Sequence, residues 1–198
     1  IRNFISLTKS QLGFLTELGD TAITDHILSM QSIASKFKQL SLNHLKLLKH
    51  LGKEVIDKII HHTDIMILDN FSKLKTEQLE FCSKPENKQI ALVIISDAGT
   101  IANFNMLQPY HFDLLNNKQY QKHSEIIAQN PEMMLDFSYF GPEQVKNLQF
   151  LDNKEEISEF LQNKGILTKP QNTKQEFRII KKGDAPALNK LSSPPQAQ

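Results

Sequence analysis

Residues Leu40 to Cys82, LSLNHLKLLKHLGKEVIDKIIHHTDIMILDNFSKLKTEQLEFC, decide how the chain is read. The stretch holds no proline and a single glycine, Gly52. Leu45, Leu48, Leu51, Val55, Ile59, Met66 and Leu74 fall near one stripe, and Ile56, Ile60, Ile67 and Phe71 widen it. Lys46, Lys49, Lys53, Lys73 and Lys75 lie mostly outside. Residues three, four and seven apart share a helix face, so the spacing predicts one long amphipathic helix. Its apolar stripe has to be covered by another part of the chain or by another copy. Leu45, Leu48, Leu51, Val55, Ile59 and Met66 are therefore the expected association surface, with the protein itself or another helical protein as partner.

Towards the N-terminus, Phe4, Leu7, Gln11, Phe14, Leu15 and Leu18 keep helical spacing, and Gly19-Asp20 closes the segment. Thr21 to Phe37 reads as a second helix. Past Cys82, the break at Ser83-Lys84-Pro85-Glu86-Asn87 precedes a change in composition. Gln89 to Ser96 (QIALVIIS) is a short β-branched run, Asp97-Ala98-Gly99 suits a turn, and TIANFN follows from Thr100. The expectation is a β-hairpin. Helical patterns resume from Tyr110, with proline at the expected helix start Gly141-Pro142 and a capping signal at Asp152-Asn153. Phe177 to Ile180 reads as a strand, and the Pro, Ala, Ser and Gln residues after Gly183 read as disordered. No internal repeat is evident at this level. The fold class expected is α+β, mostly helical. A helical region spans 1–83, a small mixed α/β region 84–183, and a disordered tail 184–198.

The 198 residues carry a net charge of +1, which excludes an argument for nucleic acid or anionic membrane from overall charge. The distribution is uneven. Lys164 to Gln198 contain seven basic residues against Glu176 and Asp184, or +5, leaving −4 for the rest. Lys169, Lys174, Arg178, Lys181 and Lys182 form the basic segment. Cys82 is the only cysteine, so no intramolecular disulfide exists, in keeping with a reducing, cytoplasmic compartment. No uncharged apolar run is long enough for a transmembrane helix, and residues 1–18 lack a signal-peptide hydrophobic region.

Asp57, His61 and Asp64 lie at i, i+4 and i+7, a spacing at which carboxylate and imidazole hold part of a divalent-metal shell. No second ligand motif completes it, and no cofactor is expected. Ser96-Asp97-Ala98-Gly99-Thr100 lacks the lysine and repeated glycines of a phosphate loop. No nucleophile motif is present, so the sequence carries no enzyme signature.

Two segments resemble known families. IALVIISDAGTIANFN from Ile90 to Asn105, followed by HFDLLN and QKHSEII, resembles the opening of a PAS-type sensory domain: strand, acidic glycine turn, second strand, short helices. The resemblance implies a sensory or partner-binding role without catalysis, behind a signalling helix. Pro142 to Lys182 resembles a winged helix, with a capped helix, Gly165-Ile166-Leu167, and a hairpin ending in FRIIKK. That would imply a nucleic-acid-binding regulator, although the candidate recognition helix NKEEISEFL starts acidic and repels phosphate. The long amphipathic helices and the Pro/Ala/Gln tail are also similar to granule-coating proteins of the phasin type. The expected function is a non-enzymatic interaction or regulatory module, with nucleic-acid binding and surface coating as alternatives.

Overall fold

The computed structural model describes residues 7–61, 65–151 and 153–163, and the pairs 167–168 and 178–179. It overturns the α+β expectation: the described body is all-α. Fourteen helices follow one another: α1 Lys9–Leu18, α2 Thr21–Ser29, α3 Gln31–Phe37, α4 Leu42–Leu51, α5 Lys53–His61, α6 Met66–Phe71 and α7 Thr76–Ser83, then α8 Lys88–Ile95, α9 Ala98–Phe104, α10 His111–Leu115, α11 Gln121–Ala128, α12 Pro131–Ser138, α13 Pro142–Leu148 and α14 Lys154–Gln162. The only strands among the described residues are two-residue pieces, where Leu167 pairs with Ile179 and Thr168 with Arg178. Part of the strand expected at 177–180 is thus present. It lies beyond the helical body and forms no mixed domain.

The long helix is also corrected. Leu40 to Cys82 is four short helices rather than one. Gly52 breaks it with φ 101° and ψ 171°, a conformation open to glycine and strained for other residues. Another break falls at Ser72–Lys75, and between α5 and α6 residues 62–64 lie outside the described residues.

The expected hairpin is helical as well. Gln89 to Ile95 falls in α8, with Ser96 as its C-cap, and Ile90, Ala91, Ile94 and Ile95 are buried at helical spacing. Asp97 is not a turn residue between strands but the N-cap of α9, accepting hydrogen bonds from the Thr100 backbone N–H (2.7 Å) and Oγ1 (2.8 Å). These bonds, the backbone one first, hold the Asp97 carboxyl below the usual carboxylate range. Gly99 sits in the first turn of α9 with ordinary φ, and a Cβ there would meet Pro131 Cβ and Asp97 Oδ1 at 3.4 Å, an ordinary contact. Gly99→Ala is therefore expected to stabilise the fold, by up to about 1 kcal/mol, because alanine is the better helix former. A lower urea midpoint for this variant would contradict the helical assignment.

The helices stack in a repeating order that the linear reading missed. Phe37, Phe71, Phe104 and Phe137 recur at intervals of 34, 33 and 33 residues. Ile27, Ile60, Ile94, Ile127 and Leu161 recur at 33, 34, 33 and 34. All nine are buried, in one continuous cluster that crosses residues 83–84 without a break. Each unit comprises a first, second and third helix: α1–α3, α4–α6, α7–α9 and α10–α12, with α13 and α14 as the first two helices of a fifth. First helices pack on first helices (α1 on α4, α4 on α7, α7 on α10, α10 on α13). Third helices do likewise (α3 on α6, α6 on α9, α9 on α12), and so do the second helices α2 on α5, α8 on α11 and α11 on α14. No single unit can bury both faces of its helices, so stacking supplies the core.

Candidate interaction surface

One residue in each unit organises the stack. Gln11, His44, Gln78, His111 and Gln144 stand near the start of successive first helices, spaced 33, 34, 33 and 33 residues apart: His111 opens α10, and the other four are the third residues of theirs. Each turns back to accept the free N–H just before its helix. Thr8 N donates to Gln11 Oε1 (2.9 Å), Ser41 N to His44 Nδ1 (3.2 Å), and Lys75 N to Gln78 Oε1 (2.6 Å). Gln108 N donates to His111 Nδ1 (3.0 Å) and Gly141 N to Gln144 Oε1 (2.8 Å). Helix starts leave such donors unsatisfied, and a returning side chain at the third position is the usual remedy.

The far end of the same side chain reaches the close of the unit. Gln11 Nε2 donates to the carbonyls of Phe37 (3.2 Å), Lys38 (3.0 Å) and Leu40 (3.0 Å). Gln78 Nε2 donates to Phe104 O (2.8 Å), and His111 Nε2 to Phe137 O (3.0 Å). The His44 ring lies edge-on to Phe71, centroids 5.5 Å apart, with Nε2 turned toward the Phe71 and Leu74 carbonyls without closing a hydrogen bond. The clasp thus fixes where each unit ends and the next begins. Just outside it, Leu7, Leu40, Leu74, Leu107 and Phe140 are buried in front of successive first helices.

With the clasps in register, the turns between first and second helices line one edge. They fall at Leu18–Asp20, Leu51–Lys53, Ser83–Asn87 and Asn116–Tyr120; the fifth connection contains residue 152, which lies outside the described residues. Their residues differ in every unit. The first two turn on Gly19 (φ 63°) and Gly52; the third and fourth use the 3-10 turns Pro85–Asn87 and Lys118–Tyr120. Neighbouring turns are cross-linked by polar pairs: Asp20, whose carboxylate is only 14% exposed, with Lys53 (2.7 Å), and the exposed pairs Glu17 with Lys49 (2.6 Å) and Glu86 with Lys118 (4.0 Å). Lys84 Nζ also donates to Asn116 Oδ1 (2.6 Å). Pairs this exposed contribute little stability, so the edge is available to a ligand at small cost. Between the first two turns a cleft of about 190 Å³ is floored by Phe14, Leu18 and Ile56 and rimmed by Glu17, Lys49 and Lys53.

The expected association stripe is not on this surface. Leu45, Leu48, Leu51, Val55 and Ile59 are buried inside the chain's own core, and of the six only Met66 is exposed. Asp57 and His61 face each other at 3.6 Å, and the His61 ring packs against His26 with centroids 4.3 Å apart. Asp64 lies outside the described residues, and among those described no group of three ligating side chains converges. Lys169, Lys174, Lys181 and Lys182 also lie outside them, as does the tail 184–198; of Arg178 only the backbone pairing is described. Cys82 is fully buried, which pushes its thiol up to about 12 and leaves it without nucleophilic character. The helices α13 and α14, which carry the winged-helix resemblance, stand in the stack as the first and second helices of the fifth unit. No described helix is long and apolar enough to cross a membrane.

Sequence reading missed the clasp residues because Gln and His alternate in the role. The signal was present in the phenylalanines. A search at a period of 33–34 residues, anchored on Phe37, Phe71, Phe104 and Phe137, finds all five clasps. No family model, no curated protein and no solved structure matches the chain.

Proposed function

We propose that this chain is a non-enzymatic binding scaffold that holds an extended partner along the edge formed by its first-to-second-helix turns. One observation carries the reading: framework residues recur at fixed positions, while the turn residues differ from unit to unit. Stacked repeats present such turns at regular steps, and variation concentrated there is what recognition of a linear partner, segment by segment, requires. The apolar stripe is consumed by the core, so association through it is not part of this reading. A displayed random-sequence peptide library and a pool of mixed-sequence oligonucleotides test the reading, with amide exchange mapping any ligand retained. Protection is expected at residues 18–20, 51–53, 83–87 and 116–120. Protection confined to the opposite edge would overturn it.

A nucleic-acid partner is favoured by a second observation. Lys49, Lys53, Lys84, Lys88, Lys118 and Lys122 fall at or beside the turns of the middle three units, against Glu54 and Glu86 there and Glu17 and Asp20, which pair with Lys49 and Lys53 from the first unit, and the basic segment follows. Helical repeats that read one nucleotide per unit with two or three side chains are an established solution. On this reading, Lys88→Glu with Lys122→Glu should weaken oligonucleotide binding and flatten its salt dependence by about one unit of slope per lysine. A titration across salt concentrations gives the slope. An unchanged slope would leave the protein-partner reading alone.

A further inference from the structure

We propose that the stack contains two acid-sensitive joints, at His44 and His111, which loosen the array in mildly acidic surroundings while the glutamine joints hold. The bond to the helix-start N–H is the same in all five units, but the chemistry of the two residue types differs. Glutamine has a permanent acceptor at Oε1 and a permanent donor at Nε2, so Gln11 and Gln78 clasp at any pH, and Gln144 keeps its bond from the Gly141 N–H. Histidine offers an acceptor and a donor only as the neutral ring.

At His111 the tautomer follows from the contacts. Nδ1 receives the Gln108 N–H at 3.0 Å, so the proton sits on Nε2 and is donated to Phe137 O at 3.0 Å. At His44, Nδ1 receives the Ser41 N–H at 3.2 Å and lies 2.7 Å from Ser41 Oγ, which donates to it. A second proton on either ring falls on Nδ1, the atom that is accepting. The helix-start N–H then faces a donor, and a charge stands in the core. At His111 the nearest relief is Gln108 O at 3.2 Å, which satisfies the new proton but not the orphaned N–H.

Nothing nearby offsets that charge. The elements packed against α10 carry Glu77, Glu80 and Cys82 on α7, Lys118 and Tyr120 on the 3-10 turn, Lys122, His123 and Glu125 on α11, and Glu143 and Lys146 on α13. Glu132 and Asp136 stand on α12, and Tyr110 and Asp113 on α10 itself, with the Tyr110 ring stacked on His111 at 4.3 Å. On the elements around His44 stand Lys9 and Glu17 on α1, Lys53, Glu54, Asp57, Lys58 and His61 on α5, Asp69 on α6, and Glu77, Glu80 and Cys82 on α7, with Lys46, Lys49 and His50 on α4. None of these enters the protonation balance of either ring, which burial sets first and backbone carbonyls oppose. Burial wins, and both rings are held below the ordinary histidine range. The unfolded chain therefore binds more protons once pH falls below about 6.5, and stability drops from there until the folded rings are themselves protonated. A partner held across several units would be released as these joints open.

Urea unfolding of the full chain at about pH 7.5 and about pH 5.5 tests the proposal, comparing the parent with His44→Gln/His111→Gln. The replacement restores the residue used in the other units and should fold. The parent's midpoint should fall on acidification, and the double variant should lose about half or more of that fall, the remaining histidines accounting for the rest. Gln78→His is expected to add a third such joint and steepen the fall. In the parent, amide protection factors at Ser41 and Gln108 should drop in acid while that at Lys75 holds. An equal acid shift in parent and double variant, or uniform loss of protection at all three amides, would overturn the proposal.

Discussion

Phe104→Ala is expected to destabilise the protein by about 3–5 kcal/mol, the usual cost of removing a fully buried phenylalanine. The ring is fully buried at the junction of the third and fourth units. It lies 5.8 Å from Phe81 and 5.8 Å from Phe112, which are themselves 5.9 Å apart. Aromatic triads of this spacing add to the area they bury. The Phe104 carbonyl also takes the Gln78 clasp, so collapse around the vacated space draws on a hydrogen bond as well as on packing. Because units touch only their neighbours, the damage should stay local: units one and two keep their own contacts while three and four uncouple. Urea unfolding followed by far-ultraviolet circular dichroism should then show a broadened or two-step transition in place of the parent curve. A loss below about 1 kcal/mol with an unchanged slope would mean that the triad does not join the units.

Ile59→Asp is the second large effect. Ile59 is buried in α5, which packs between α2 of the first unit and α4 of its own. A carboxylate there has no partner among the buried groups, and an unpaired charge in an apolar core costs several kcal/mol even after its pKa adjusts. The expected result is loss of helicity at room temperature, with monomeric mass before and after. Had this stripe been an exposed association surface, the same substitution would leave a well-folded chain of lower mass. Circular dichroism and light scattering on one sample separate the outcomes.

These two sites show what the sequence made legible. That Val55, Ile56, Ile59 and Ile60 lie on the buried face of a helix follows from their spacing, and the structure agrees. What covers them did not follow, because a stripe satisfied by the next unit and one satisfied by another molecule look alike in one dimension. The stretch Gln89 to Ser96 went wrong for a related reason. A run of Ile, Val and Leu buried on several sides has no clear period, and β-branched residues tilt the reading toward a strand. The N-cap at Asp97 and the helical spacing of Ile90, Ala91, Ile94 and Ile95 were the better guide. The candidate surface was the least legible part. It is defined by turns with no common sequence across the units, and the recurring phenylalanines behind them reveal that they are equivalent.

The one-sided order of contacts bears on how such a chain changes over generations. Leu40 and Leu74 stand at the same place, each buried one residue ahead of the N-cap of a first helix, Ser41 and Lys75 respectively. Excising residues 41–74 would join Leu40 directly to Lys75. Gln11 would still clasp the carbonyls of Phe37 and Leu40, and α7 would dock on α1 as α4 does now. Recombination between two units of one gene therefore shortens or lengthens the product by a whole step without disturbing the packing of the units that remain. The length of the stack becomes a trait that copy number sets, separable from the residues that its turns carry.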